Sequence, residues 1–179
     1  RRQREGQRSY LGASRLGVSC GRALQFEFVG APVDYGRETP GNILRIFERG
    51  HVTEDCMTGW LREAGFDLRT HDRNGEQFGF SVADGRLQGH VDGVVVGGPE
   101  GFTYPALWEC KCLNSKSSAK AVTDKIRVSH PRYFNQVQIY MGEMGLPCCL
   151  FTIMNADSME IHHELVQYEA ATHRAMVDR

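Results

Sequence analysis

Glu109-Cys110-Lys111, with Asp92 upstream, is the group of residues in this chain best suited to chemistry. The run Leu107-Trp108-Glu109-Cys110-Lys111-Cys112 reads as a strand, and side chains alternate across a strand. Glu109 and Lys111 therefore share one face, while Trp108 and Cys110 turn towards apolar surroundings. Asp92 lies in a second strand-like run, Gly89-His90-Val91-Asp92-Gly93-Val94-Val95-Val96. If the two strands are neighbours, its carboxylate reaches that of Glu109. Two carboxylates and water suit a hard cation such as Mg²⁺ or Mn²⁺. Such an ion polarises a phosphoryl oxygen and acidifies a bound water, and a lysine beside it positions that water or stabilises developing charge. The chemistry in view is hydrolysis of a phosphodiester, among the slowest of uncatalysed reactions. A lone Glu-x-Lys is more often a surface ion pair. The added Asp92, the aromatic and apolar frame, and the basic segment that follows favour a site.

Two further groups could complete it. His51 and Glu54 stand three apart on a helical stretch and share a face, near Glu48 and Asp55. A solvated face is the ordinary reading, and the sharper one is a metal shell completed from the helix, with His51 ahead of Glu54. Gln136 and Tyr140 are one helical turn apart, and their side chains suit contacts with a base or a phosphate. From Lys111 to Arg132 six basic residues, among them Lys116, Lys120 and Lys125, face the single acid Asp124, a local excess of five positive charges. Arg1, Arg2, Arg4 and Arg8 add to it. A net charge of −1 gives the whole chain no attraction for nucleic acid, so any phosphate-backbone contact must come from these stretches.

The elements that must position these residues follow from pattern. Tyr10 to Phe28 holds a short helix and its flanks. Asn42 can cap a helix running to about Ala64, stopped by Gly65, with Ile43, Leu44, Phe47, Met57, Trp60, Leu61 and Ala64 on its apolar face. Phe66–Thr70, Gln77–Ala83, Leu87–Val96 and Thr103–Leu113 read as strands, with Asp84-Gly85 as a hairpin turn. Asn114–Ser129 is polar and basic with poor periodicity. Pro131 opens a helix ending near Gly145. Cys148–Met154 and Met159–Val166 read as strands and Gln167–Arg179 as a terminal helix. This order predicts an α/β sandwich around a mixed sheet.

The 179 residues favour one domain with a sizeable core. The chain opens on arginine without a methionine, as a sequence trimmed at its start does. It shows no signal peptide and no apolar run long enough for a membrane. Its six cysteines form no CxxC pair, and Cys148-Cys149 reads as buried thiols, so the expected compartment is reducing and cytoplasmic. There is no P-loop, and Gly12-Ala13-Ser14-Arg15-Leu16 lacks the second glycine of a nucleophile elbow.

Taken in order, these residues resemble the PD-(D/E)XK nuclease superfamily, in particular its RecB-like and phage exonuclease branch with lambda exonuclease and YqaJ-type recombinases. The pieces are Tyr10–Ser14 with Cys20–Leu24, Arg49-Gly50-His51 with Glu54, Gly89–Gly93, Trp108–Lys111 and Gln136–Tyr140. The resemblance implies an α/β, restriction-endonuclease-like core, a central mixed β-sheet flanked by helices, forming one nuclease domain over residues 1–179. It implies Mg²⁺ or Mn²⁺ held by Asp92, Glu109, His51 and the Cys110 backbone carbonyl, with Glu54 as the alternative ligand and Lys111 as a catalytic residue. Gln136 and Tyr140 match the QxxxY motif thought to contact DNA, and by analogy Ser14 and Arg22 are expected to touch a DNA end or the phosphate backbone. The implied activity is a deoxyribonuclease, foremost an exonuclease of phage or prophage type in recombination, replication or repair. A single-strand annealing or recombination protein is the implied partner beside DNA. A structure-specific or nicking endonuclease on the same fold and a catalytically inactive DNA-binding module are the alternatives. Some RecB-like nucleases hold an iron–sulfur cluster on one early and three late cysteines. Here Cys20 is followed late in the chain by Cys148-Cys149 alone, so no cluster is expected.

Overall fold

The computed structural model describes residues 9–18, 20–32, 34–36 and 39–178. The arginines at positions 1, 2, 4 and 8, counted above as a basic opening, lie outside the described residues. The chain builds two mixed sheets flanked by helices. Five strands form the larger one, in the order β2 (Leu68–Arg69), β5 (Gly93–Val95), β6 (Ala106–Leu113), β7 (Cys148–Asn155), β8 (Ile161–Gln167). The smaller has the order β1 (Leu11–Gly12), β4 (Leu87–His90), β3 (Gly79–Val82).

In the larger sheet β6 and β7 run parallel and the other pairs are antiparallel. A parallel pair needs a crossover, and α3 (Ser115–Ser129) and α4 (Pro131–Met144) supply it. Ser115–Ser129 is thus helical, in two pieces joined at a kink where Lys125 has φ 61°, although the polar, basic run was expected to show poor periodicity. Its start is fixed by Asn114, whose side chain accepts from the Ser117 backbone N–H at 2.9 Å. Small side chains, Ser118 and Ala121, together with Ile126, make its buried face. The α4 boundaries are as expected, with Pro131 in the first turn and Gly145 left-handed at φ 66°.

Two apolar clusters lie on opposite faces of the larger sheet. Leu107, Phe151 and Ile153 pack with Val137, Ile139 and Met141 of α4. Trp108, Cys110, Leu150 and Met154 pack with Met57 and Leu61 of α2 (Gly41–Glu63). Only the C-terminal part of α2 is held this way. Leu44, Phe47 and Trp60, expected on its core face, are 55%, 54% and 41% exposed. Asn42 does not cap this helix: Pro40 holds the cap position, so Asn42 falls inside the first turn. The remaining helices are α1 (Gly21–Phe28) and α5 (Ala170–Val177).

The run Leu87–Val96, expected as one strand, is divided. β4 pairs with β3 in the small sheet, and β5 pairs with β6 in the large one. Val91 and Asp92 form the seam. Gly93, just past it, has no room for a side chain. A Cβ there would meet Leu68 Cδ1 at 2.8 Å and the Arg69 carbonyl oxygen at 2.9 Å. Gly93→Ala should therefore push β2 from β5 and destabilise the fold by about 1–3 kcal/mol, read as a lower urea midpoint.

Candidate active site

Strand β6 presents Glu109 and Lys111 on the face covered by α4, as alternation requires. The antiparallel register sets Gly93 against Trp108, so Asp92 arrives beside Glu109. Its Oδ2 accepts from the Cys110 backbone N–H at 2.8 Å. A side chain here takes the place of the next ladder bond, which holds Asp92 rigidly at the seam.

Glu109 is 1% exposed. Lys111 Nζ donates to Glu109 Oε1 and, at 3.2 Å, to the Cys110 carbonyl oxygen. Gln136 of α4 also donates to Glu109 Oε1, at 2.8 Å, and reaches the Tyr140 hydroxyl at 3.2 Å. Oε2 of Glu109 is buried with no hydrogen-bond partner among the described residues. Burial, then the nearby Asp92 charge, raises the Glu109 carboxyl above its ordinary range, against the pull of Lys111. Burial alone would lower the lysine, but the carboxylates of Glu109 and Asp92 outweigh it and hold Lys111 as an ammonium. Tyr140 is 4% exposed, and burial followed by Glu109 raises its hydroxyl as well.

The remaining candidates divide by position. Gln136 and Tyr140, expected at the DNA, both lie in this cluster, Gln136 on Glu109 and Tyr140 on Gln136. On α2, Glu54 shares the field of this cluster. Its carboxyl rises to about 7, through burial and then the Asp92 charge. His51, which the sequence reading placed ahead, has a side chain 56% exposed and lies 3.9 Å from Glu54. Ser14, in a 3-10 turn (Ala13–Arg15), is exposed, as are Arg22 on α1 and Lys116, Lys120 and Lys125 on α3. Sequence reading passed over Tyr133, whose ring centroid lies 5.6 Å from Lys111 Nζ. Its place two residues after Pro131, on the face of α4 leading to Gln136, was the available signal. The six cysteines are free, and Cys148 and Cys149 are buried.

Among the described residues no three His, Cys, Asp or Glu side chains converge as a ready-made metal cage. The oxygen donors present still fit a hard divalent ion. Glu109 Oε2 is unpartnered, Asp92 commits only Oδ2, and the Cys110 carbonyl oxygen already faces a cation, the Lys111 ammonium. Water completes such shells for Mg²⁺ and Mn²⁺.

No protein-family model matches the chain, and no curated protein does. Solved structures do match. An alkaline exonuclease from Laribacter hongkongensis, LHK-Exo, aligns with a TM-score of 0.66 at 16% identity, over 96% of this chain and 84% of its own. The same enzyme in complex with dAMP gives 0.64 at 17% identity, over 95% and 83%. SSO0001 gives 0.55 at 14% identity, over 98% and 76%. The likeness is one of fold: the α/β arrangement of mixed sheets and flanking helices is shared with LHK-Exo.

The raised Glu54 carboxyl has a consequence for stability. Its unfolded value is 4.5 and its folded value about 7, so its contribution is fully present below 4.5 and lost as pH rises through 7. Glu54→Gln in EDTA should leave the thermal midpoint unchanged below that range and raise it at about pH 8. Melting curves at both pH values check this.

Proposed function

We propose that this chain is a metal-dependent DNA nuclease that hydrolyses phosphodiester bonds, foremost as an exonuclease. One observation carries the reading: Asp92, Glu109 and Lys111 meet at one point, with a buried carboxylate oxygen left open, on a fold shared with an alkaline exonuclease. Asp92, Glu109 and the Cys110 carbonyl would hold Mg²⁺ or Mn²⁺, with Glu54 ahead of His51 as the further ligand. A bound ion of this kind supplies Lewis-acid polarisation of the phosphoryl group and a more acidic water.

The chain's own residues do the rest. Lys111, held as an ammonium beside two carboxylates, would position the attacking water or stabilise oxygens that gain negative charge. Gln136 holds Glu109 in one rotamer, with Tyr140 behind it. Asp92 is oriented by the Cys110 N–H. The exposed cations of α3, with Ser14 and Arg22, are the proposed phosphate-backbone contacts. A role in phage or prophage recombination, alongside an annealing partner, belongs to the same proposal.

The decisive experiment incubates the protein and Mn²⁺ with linear duplex, circular duplex and end-labelled single strands. Loss of the linear forms alone identifies an exonuclease, cutting of the circle an endonuclease, and binding without cutting an inactive module. Asp92→Ala and Lys111→Ala should each lower cleavage by at least about a thousandfold while DNA binding persists, and EDTA should stop it. Cleavage at the normal rate in both variants would sink the site assignment. Replacing Lys116, Lys120 and Lys125 together with Ala should weaken DNA binding and flatten its dependence on log salt by roughly two to three units of slope. Filter binding across a salt series reads this out.

A further inference from the structure

Strand β8 ends the larger sheet, and no strand lies beyond it among the described residues. Its backbone therefore offers hydrogen bonds outward, and its inward bonds show from which residues. Asn155 N–H donates to the Glu160 carbonyl at 2.8 Å, and Tyr168 N–H to the Pro147 carbonyl at 3.0 Å. Residues of an antiparallel ladder alternate, so 160, 162, 164, 166 and 168 bond to β7. Ile161, His163, Leu165 and Gln167 turn their N–H and C=O groups to the open edge. Folded proteins blunt such edges with lysine, proline or a bulge. Ile161–Gln167 holds no lysine, arginine or proline, and its register against β7 runs without interruption. Its one carboxylate, Glu164, faces α3 and accepts there from the Ile126 N–H at 3.0 Å.

The two faces of the strand say what it can pair with. On one, Leu165, His163 and Ile161 stand opposite Leu150, Thr152 and Met154 of β7. Ile161 and Leu165 are 42% and 44% exposed. His163 between them is held by Thr152, whose Oγ1 accepts from Trp108 Nε1 at 3.2 Å and lies 3.1 Å from His163 Nδ1. Partial burial, then His162, keeps this imidazole below its ordinary pKa, so it is uncharged near neutral pH. On the α3 face are Glu164 and His162, whose Nε2 is buried without a partner among the described residues. The order Ile161-His162-His163-Glu164-Leu165 is therefore self-complementary. A second copy of β8, laid antiparallel with a twofold axis through His163, sets Ile161 against Leu165 and His162 against Glu164, each twice. Charge selects this register. An axis through Glu164 would oppose two carboxylates directly, and an axis through His162 would oppose Glu160 with Glu164, both unfavourable. The pairing about His163 also brings outward-facing N–H and C=O groups together.

We propose that the β8 edge is an interface between two copies of this chain, which pair antiparallel about His163 and join their larger sheets into one. About six backbone hydrogen bonds hold the pairing. The axis stands normal to the sheet, so both copies keep Glu109 on the same side, with their β6 strands roughly 24 Å apart at about 4.8 Å per strand. A strand edge makes a small interface, so dissociation falls in the micromolar range. Sedimentation velocity of the full chain across a micromolar concentration series should show a monomer passing into a dimer. Hydrogen exchange reads the register. The amides of Ile161, His163 and Leu165 should slow about tenfold as concentration rises, while those of His162, Glu164 and Val166 are slow throughout. Leu165→Lys should weaken dimerisation about tenfold or more and leave the thermal midpoint of the dilute protein unchanged. His162→Glu sets an acid against Glu164 twice and should weaken it about tenfold. Adding Glu164→Gln, which can still accept from the Ile126 N–H, should recover most of that loss. A monomer throughout the series would overturn the proposal. So would a dimer unaffected by Leu165→Lys, or one whose Ile161, His163 and Leu165 amides exchange as fast as in the monomer, since either puts the contact on another face. Neither metal nor DNA enters these measurements, so their outcome is independent of the nuclease reading.

Discussion

The structure depends on keeping one carboxylate out of water. Glu109 lies in the middle strand of a five-stranded sheet and is 1% exposed, among neighbours that are mostly apolar. An isolated charge in such a place is costly, and breaking a buried pair by removing its partner typically costs about 3–5 kcal/mol. The chain answers with a lysine two residues along the same strand and an amide from the helix above. Lys111 must point inward to serve, which fixes the register of β6. Gln136 must face the sheet, which fixes the rotation of α4. The apolar residues of α4 then follow, because Val137, Met141 and their neighbours fill the space around a polar centre whose position is already set.

Asp92 shows how the second carboxylate is brought in. The chain leaves one sheet at His90 and enters the other at Gly93. Two residues span the change, and the aspartate is one of them. A strand residue within a ladder has its backbone committed to the neighbouring strand. At the seam the side chain takes over part of that task by accepting from Cys110 N–H. The carboxylate is thereby positioned by the same bond that ends the ladder. The close approach of β2, possible only because residue 93 lacks a side chain, keeps this end of the sheet shut.

These devices were unequally visible in the sequence. The face shared by Glu109 and Lys111 follows from a period of two, and the bounds of α4 follow from Pro131 and Gly145, so both could be read directly. The seam could not, because apolar residues continue through Val91 and Val94 and give no sign that the chain changes sheets. Helix α3 was hidden for another reason. It buries serine and alanine, which carry little weight in a hydrophobic pattern, and the Asn114 cap is a local signal easily overlooked in a polar run. On α2 the spacing placed His51 and Glu54 on one face correctly, but which of them meets the site depends on how the helix crosses the sheet. The apolar spacing of Leu44 and Phe47 was equally real and led to the wrong environment, since the first half of α2 extends past the core.

The two oxygens of Glu109 carry the argument furthest. Oε1 receives both Lys111 and Gln136, whereas Oε2 receives nothing from the described residues. A buried polar atom without a partner costs about 1–3 kcal/mol, and more when charged, so folded proteins keep few of them. Packing gives no reason for the difference, because a glutamine at this position would fill the same volume and could donate as well as accept. A carboxylate is the better choice if the open oxygen is meant for a cation. The partners on Oε1 fix the carboxylate plane and with it the direction of the open oxygen. Gln136 is one of these partners, and Tyr140 holds the Gln136 amide in turn.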